Sequence, residues 1–357
     1  MTIVIVGGGT GGHLFAAIAL SEELKLRKYK VHLITDTRCK RYLSENKVAK
    51  YYIINSVQFK GVWYKKLAAL FRISITVLKL LYLYFQIKPK IVFAFGGYPT
   101  FAPLVASRLM RIPYILHEQN CFLGKVNSYF AKAASKITVA FPQVKNLSKE
   151  YRNKTILAGN PVRKKIKNLS INRDFTERPF KILVIGGSQG ASIFNKLIPS
   201  ALKLVKLKNP NFIAHIFHQA YKGEGPRLEK FYKKLDISCE VKEFFFDMDV
   251  KYSESHLCIC RAGAGTIAEL IHTGLPALLI PFYYATKNHQ LLNAKMIKNR
   301  KACWYFPQNK VTPYQLAVKI LELFSDPTIL QNVSQNLLKM KVNAEKVLAD
   351  TVKKVLQ

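Results

Sequence analysis

The sequence predicts an α/β protein built as two doubly wound, parallel-sheet units in tandem, on three observations. Short β-rich apolar runs alternate with amphipathic segments along all 357 residues, the pattern of parallel strands covered by helices. "IVIVGGGTGG" from Ile3 is echoed by "ILVIGGSQGA" from Ile182, each an apolar run entering a glycine loop that opens a helix. "FAFGGYPTFAPLVASRLMRIPYILHEQ" is echoed by "CICRAGAGTIAELIHTGLPALLIPF": strand, glycine-rich turn, helix, then a proline-started strand. The repeat makes both units Rossmann-like.

Taken in order, the first strand spans 2 to 6 and runs into Gly7, Gly9 and Gly12, which satisfy G-x-G-x-x-G. Glycines there leave backbone amides at a helix N-terminus able to approach an anion, so phosphate is favoured while its owner stays open. His13 follows directly. Its unperturbed pKa suits a general base near neutrality, and it also reads as a helix-start histidine that orders the loop.

Further strands are expected at 31 to 34, 91 to 95, 113 to 117 and 136 to 139. Between the first two of these lies "KKLAALFRISITVLKLLYLYFQIK", in which Lys65, Arg72, Lys79 and Gln86 recur every seven residues. On a helix they form one polar stripe, and nearly everything else is apolar. A helix covering one face of a sheet needs no such width. The surplus, with Leu80, Leu83 and Phe85 in it, reads as an interfacial patch for anionic lipid; the alternative is a helix buried on both sides. Charge interrupts the stretch too often for a comfortable membrane span.

A proline, a charge run and polar residues break the periodicity between Gly159 and Lys181, so the units are expected at 1–162 and 163–341. Strands resume at 181 to 185, 212 to 217, 256 to 260 and 276 to 280. "DMD" at 247 to 249 matches Asp-x-Asp literally, but Asp247 and Asp249 adjoin no glycine loop and read as a helix start. A last helix, roughly 342 to 356, has no strand after it and is available to pack back on the first unit. Ligands of open α/β sheets bind at the carboxyl ends of the strands, so the expected active site is a cleft that the two units face.

The formal charge of +35, from 56 Lys and Arg against 21 Asp and Glu, predicts attraction to a polyanion, with nucleic acid and anionic membrane both qualifying. No basic segment and apolar core precede the first strand, so no export signal is expected and the cytoplasm is the expected compartment. Six cysteines form no C-x-x-C pair and read as small core residues, and eight histidines form no H-x-x-x-H cluster. No metal and no cofactor is expected.

"GGGTGGHLFAA", "FGGYPTFAPLVAS", "HEQN", "GNPVR", "GGSQGA", "FFFDM", "GAGTIAE" and "NHQLLNA", in this order and spacing, closely resemble the MurG family over nearly the whole chain. The resemblance implies a two-domain glycosyltransferase of the B type. Such an enzyme moves N-acetylglucosamine from UDP-N-acetylglucosamine to an undecaprenyl-pyrophosphoryl-muramoyl-pentapeptide acceptor, with inversion, and is peripheral to the cytoplasmic face of the inner membrane. One departure is Ala16, where the family usually has proline; its loss loosens the helix start without removing a chemical group.

Transfer requires stabilising charge on a departing diphosphate and deprotonating an alcohol, and helix N-termini meet the first need without a metal. The resemblance places the donor diphosphate at Ser188 and at Ala264, Gly265 and Thr266, with Ile267 and Ala268 in the same segment. Glu269, one turn along, is in reach of the ribose hydroxyls; the alternative is a solvated helix residue. Arg163 and Phe245 match family positions at the nucleotide end, although Phe245 is equally a core aromatic whose contact could be through the backbone. Gln290 and Asn120 carry over as sugar contacts, with Thr10, Gly11 and Gly12 also assigned to the donor and His289 a weaker candidate. The acceptor's diphosphate is then left to Gly9, Gly96, Gly97 and Tyr98, with His13 the candidate base and Glu118 a second candidate.

Two other classes compete. A nicotinamide- or flavin-dependent oxidoreductase would use Asp36, past the second strand, as its ribose acid, but leaves the loop at Gly186 without a role. A nucleic-acid binder would explain the charge, but the basic residues are dispersed and no recognised motif accompanies them, so no nucleic-acid partner is expected.

Overall fold

The computed structural model describes residues 1–43, 50–56, 63–169, 171–187 and 190–357. The chain divides into two compact units, one of residues 1–163 with 342–357 and one of residues 164–341.

The first unit runs β1 (Thr2–Val6), α1 (Gly11–Leu26), β2 (Lys30–Asp36), β3 (Lys50–Ile54), α2 (Trp63–Ile87), β4 (Ile91–Ala94), α3 (Phe101–Leu109), β5 (Tyr114–Glu118), α4 (Lys125–Phe130), β6 (Lys136–Val139) and β7 (Thr155–Leu157). Its seven strands are ordered β3-β2-β1-β4-β5-β6-β7, all parallel. Strands β1 and β4 are sandwiched between helices on both faces, which is why they read as unbroken apolar runs rather than alternating ones.

The second unit runs α5 (Lys164–Lys167), β8 (Phe180–Ile185), α6 (Phe194–Lys208), β9 (Ala214–Gln219), α7 (Gly225–Lys234), β10 (Ser238–Lys242), α8 (Met248–Glu254), β11 (Leu257–Cys260), α9 (Ala264–Thr273), β12 (Ala277–Leu279), α10 (His289–Asn299), β13 (Trp304–Tyr305), α11 (Pro313–Ser325) and α12 (Pro327–Leu338). Its sheet, β10-β9-β8-β11-β12-β13, is again parallel. The sequence echo is therefore a topological one. β1 and β8 hold the same central place, β4 and β11 lie beside them, and the order reverses between each pair, so both glycine loops of each unit open at its switch point.

The chain then returns to the first unit as α13 (Ala344–Leu356), whose Leu348, Ala349 and Val352 are buried in one core with Ile3, Ile5 and Leu14. At its start, Glu345 accepts the Val162 N–H at 2.8 Å.

The strands at the sheet edges, β3, β7, β10 and β13, are absent from the sequence reading. They are short or carry polar residues because one side of an edge strand meets no neighbouring strand and at least one face is wet.

Helix α2 corrects two sequence expectations. Val77, Leu80 and Tyr84 pack into the core beneath it and half-buried Leu83 packs against them, so of the three patch residues expected from the sequence only Phe85 is exposed. The exposed apolar face is instead Leu67, Leu70, Phe71, Leu78, Tyr82 and Phe85, flanked by exposed Arg72 and Lys79; the Lys65 side chain lies outside the described residues. By length and composition Leu67–Ile87 does suffice to cross a membrane, contrary to the reading that charge interrupts it. Its buried side nevertheless belongs to the unit's core, which a spanning helix would forfeit.

Candidate functional site

In the first unit, β1 runs into Gly7, where a Cβ would lie 2.5 Å from Ala17 Cβ and 2.7 Å from the His13 carbonyl oxygen. Only glycine lets α1 start so close to the strand. At Gly9 the backbone is left-handed, φ +84°, and its N–H turns inward to Asp36 Oδ1 at 3.0 Å. The expectation that Gly9 offers an amide to an anion is therefore corrected: its donor is occupied, and what it supplies is the turn.

Asp36 ends β2 and is buried. Burial alone would raise its pKa, but the Gly9 N–H, the Ser56 hydroxyl at 2.8 Å and the Arg38 Nε at 2.7 Å hold it below the usual carboxylate value. Those three donors fill the group that an oxidoreductase would need for ribose. Thr10 is the extended residue before α1, and Gly11, Gly12 and His13 form the first turn of the helix. Thr10 Oγ1 lies 2.8 Å from Nδ1 of half-buried His13.

Strand β4 delivers Gly96 and Gly97, both left-handed at φ +81° and +79°, and a Cβ on Gly96 would meet the Asn127 amide at 2.9 Å. Half-buried Tyr98 follows in a short turn that leads into α3. Strand β5 ends at Glu118, whose carboxylate is enclosed. Oε1 accepts from the Asn120 N–H at 3.0 Å and the Asn120 amide at 3.3 Å; Oε2 accepts from Gly124 N–H and Asn127 Nδ2, both at 2.9 Å. Burial raises its pKa, opposed by these bonds. Both oxygens being taken, Glu118 orders the loop after β5 and is not placed as a base, which corrects that assignment. Beside it, His117 is fully buried between Thr138 Oγ1 (2.9 Å) and Asn160 Oδ1 (3.0 Å), and burial lowers its pKa to about 4. Arg163 is half-buried, its guanidinium 5.0 Å from the Phe15 ring centre on α1.

In the second unit, a Cβ on Gly186 would come within 2.3 Å of the Ala191 backbone nitrogen, and Gly187 and Gly190 are left-handed at φ +81° and +70°. Gln219, the last residue of β9, braces this loop: its Oε1 accepts from Gly186 N–H at 3.1 Å and its Nε2 donates to Gly187 O at 3.2 Å. Ser188, assigned from sequence to the donor diphosphate, lies outside the described residues.

After β11, Gly263 in extended conformation precedes α9. Burial divides the segment assigned to the donor. Gly265, Thr266 and Glu269 share the half-buried face, whereas Ala264, Ile267 and Ala268 turn inward and the Ile267 N–H is already bonded to Gly263 O at 2.9 Å. Ile267 and Ala268 therefore bring no side chain to that half-buried face. Glu269 Oε2 accepts from the Tyr252 hydroxyl at 2.9 Å. Phe245 is 2% exposed, so its ring is core and a contact to the nucleotide falls to its backbone. Gln290 and His289, both half-buried, open α10, and Gln290 Oε1 accepts the Phe282 N–H at 2.9 Å. Asp247 precedes α8 and pairs with Lys251 at 3.3 Å, a helix start as expected.

The sequence reading missed four residues that shape these loops: Asn127, Asn160, Gln219 and Tyr252. The signal available for Gln219 was its place, a polar residue ending an apolar strand beside a glycine loop, the same place that Asp36 holds in the first unit.

Residues 3–139 match the glycosyltransferase family 28 N-terminal domain and residues 181–352 its C-terminal domain. The UDP-N-acetylglucosamine–N-acetylmuramyl-(pentapeptide) pyrophosphoryl-undecaprenol N-acetylglucosamine transferase of Rickettsia felis is 40% identical over 99% of both chains, and that of Rickettsia bellii 41% identical over 99% of both. The crystal structure of Acinetobacter baumannii MurG superposes with a TM-score of 0.78 at 26% identity, covering 99% of each chain. A UDP complex of Staphylococcus aureus MnaA shares the fold, with a TM-score of 0.70 at 14% identity over 99% of this chain and 96% of that one.

Proposed function

The chain belongs to the MurG family of glycosyltransferases, and on that premise we propose how its residues carry out the transfer. The enzyme moves N-acetylglucosamine from UDP-N-acetylglucosamine to the C4 hydroxyl of undecaprenyl-pyrophosphoryl-N-acetylmuramyl-pentapeptide. The hydroxyl oxygen attacks the anomeric carbon, the bond to the diphosphate breaks, UDP leaves and the hydroxyl proton goes to a base.

One observation carries the donor assignment: α9 opens with a glycine and short side chains, and Glu269 stands on the same face one turn below. Amides at that N-terminus suit the departing diphosphate, and a carboxylate one turn on suits a vicinal diol. Gly187 and Gly190 line the neighbouring loop, and Gln290 is the contact to the sugar hydroxyls through its amide nitrogen, since its oxygen is held by Phe282. Arg163 and Asn120 stay assigned to the donor on the family resemblance. In the first unit, the amides of Gly11 and Gly12 with the turn at Gly96, Gly97 and Tyr98 receive the acceptor's diphosphate. Gly11 and Gly12, also assigned to the donor from the sequence, are read here with the acceptor because their amides open α1 beside that turn in the same unit. His13 takes the proton through Nε2, with Thr10 holding Nδ1.

Turnover of radiolabelled UDP-N-acetylglucosamine with the lipid-linked acceptor tests the reaction. Glu269→Ala should weaken UDP binding by about 2 kcal/mol, the scale of a charge-assisted hydrogen bond. Unchanged affinity by calorimetry would remove Glu269 from the ribose contact.

The exposed apolar face of α2, with Arg72 and Lys79 beside it, supports docking on an anionic membrane surface. Changing Leu78, Tyr82 and Phe85 to serine should cut liposome association while leaving the melting temperature within a few degrees, because all three are more than 60% exposed. Undiminished association would remove this face from the membrane contact.

A further inference from the structure

Glu269 does not stand alone on α9. Tyr252 on α8 is 1% exposed, and its hydroxyl donates to Glu269 Oε2 at 2.9 Å. The backbone around that tyrosine is held just as tightly. Arg173 donates to Tyr252 O at 2.7 Å and Ser255 O at 2.7 Å, at the end of α8, and to Thr273 O at 3.0 Å and Gly274 O at 3.2 Å, at the end of α9. Helix C-termini leave carbonyls without intrahelical partners, and one guanidinium here satisfies those of two helices at once. The helices are thereby locked to each other at their C-terminal ends, and Tyr252 bridges them alongside the carboxylate.

A buried tyrosine hydroxyl needs an acceptor, and any backbone carbonyl would serve a tyrosine whose only work was packing. This one instead bonds a half-buried carboxylate on the face shared with Gly265 and Thr266. A glutamate has three side-chain torsions, and fixing them on ligand binding costs affinity unless they are already fixed. Tyrosine, with two torsions and a ring clamped in the core, is a rigid donor.

We propose that Tyr252 is a positioning residue for donor recognition: its hydroxyl orients the Glu269 carboxylate so that it meets the ribose diol of UDP. The inference rests on the assignment of Glu269 to the ribose. It makes Tyr252 a determinant of ribose selectivity without contact to the ligand.

The test compares UDP with 2′-deoxy-UDP by calorimetry, in the full-length protein and in Tyr252→Phe and Glu269→Ala variants, with melting temperatures recorded alongside. In Tyr252→Phe, UDP affinity should fall about fivefold to tenfold while 2′-deoxy-UDP affinity changes less than about twofold, so the preference for the ribonucleotide collapses. In Glu269→Ala the preference should be gone. If Tyr252→Phe weakens both nucleotides equally, or neither, while Glu269→Ala erases the preference, Tyr252 only packs and this inference is overturned alone. If Glu269→Ala keeps the preference, the ribose assignment fails and takes the inference with it.

Discussion

The two central glycine loops are built to one plan and braced by different chemistry. In each unit an apolar strand enters a glycine that tolerates no Cβ, and the last residue of the neighbouring strand reaches across to hold a loop amide. In the first unit that residue is Asp36, an acceptor only, which needs Arg38 and Ser56 to balance it. In the second it is Gln219, which is neutral and both accepts from Gly186 and donates to Gly187 and Glu243. A carboxylate brace needs a cation beside it, as Arg38 stands beside Asp36, before an anion can approach the loop, whereas a neutral amide needs none. The second loop has the neutral brace. The first has a charge beneath it and a histidine at its helix start.

His13→Ala should give the largest effect that separates the loops. General-base participation contributes about 10² to 10⁴ in rate, so kcat should fall by that order while UDP affinity stays near wild type. His13→Asn distinguishes a base from a loop-ordering group, since an amide can still bond Thr10 but takes no proton at neutral pH. Activity restored in the Asn variant would place the base elsewhere.

Exchanging the braces comes next. Gln219→Glu puts a carboxylate under the second loop and should weaken UDP binding about tenfold or more, the cost of one unpaired buried charge nearby. Asp36→Asn makes the first brace neutral and should lower stability by about 1–3 kcal/mol, through loss of charge-assisted bonds, without touching UDP affinity. Denaturant melts with UDP titrations check both, and an equal response of UDP binding to the two changes would erase the distinction drawn between the loops.

Acid should separate the units more mildly. Burial depresses His117 in the first unit to about 4, and His218 and His256 in the second to about 3 and about 4. Between the ordinary histidine value and these lowered ones, the unfolded chain binds protons that the folded chain refuses. Stability is therefore full above the ordinary value, falls as the pH drops through that window and levels off below the folded values. Each such group costs on the order of 2 kcal/mol at pH 5. Glu118, raised by burial, works in the opposite sense in the first unit, where the folded state holds the proton more tightly than the unfolded one. Hydrogen exchange at pH 7 and pH 5 should show the second unit losing more protection; an equal loss would count against these shifts.

Much of this plan is legible without coordinates. The glycine loops, the central strands and the helix carrying Glu269 announce themselves by local pattern, because a strand buried on both faces must be apolar throughout and a tight turn into a helix must be glycine. The face of α2 that meets the core is not legible in this way. Its apolar residues surround it almost completely, so periodicity cannot distinguish buried Leu80 from exposed Leu78. Nor is the state of Glu118, whose place at a strand end suggests a base until the Gly124 and Asn127 bonds are seen.

What the amino-acid order determined by itself was the parallel α/β class, the tandem repeat and the positions of the glycine turns, all set by residues within one strand, loop and helix. Tertiary structure alone decided which polar side chain braces which loop. Asp36 is 27 residues from Gly9 and Gln219 is 33 from Gly186, and each arrives only because a parallel crossover returns the chain one strand over in register. The pairing of Tyr252 with Glu269 is of the same kind, since two helices must pack before a hydroxyl on one can orient a carboxylate on the other.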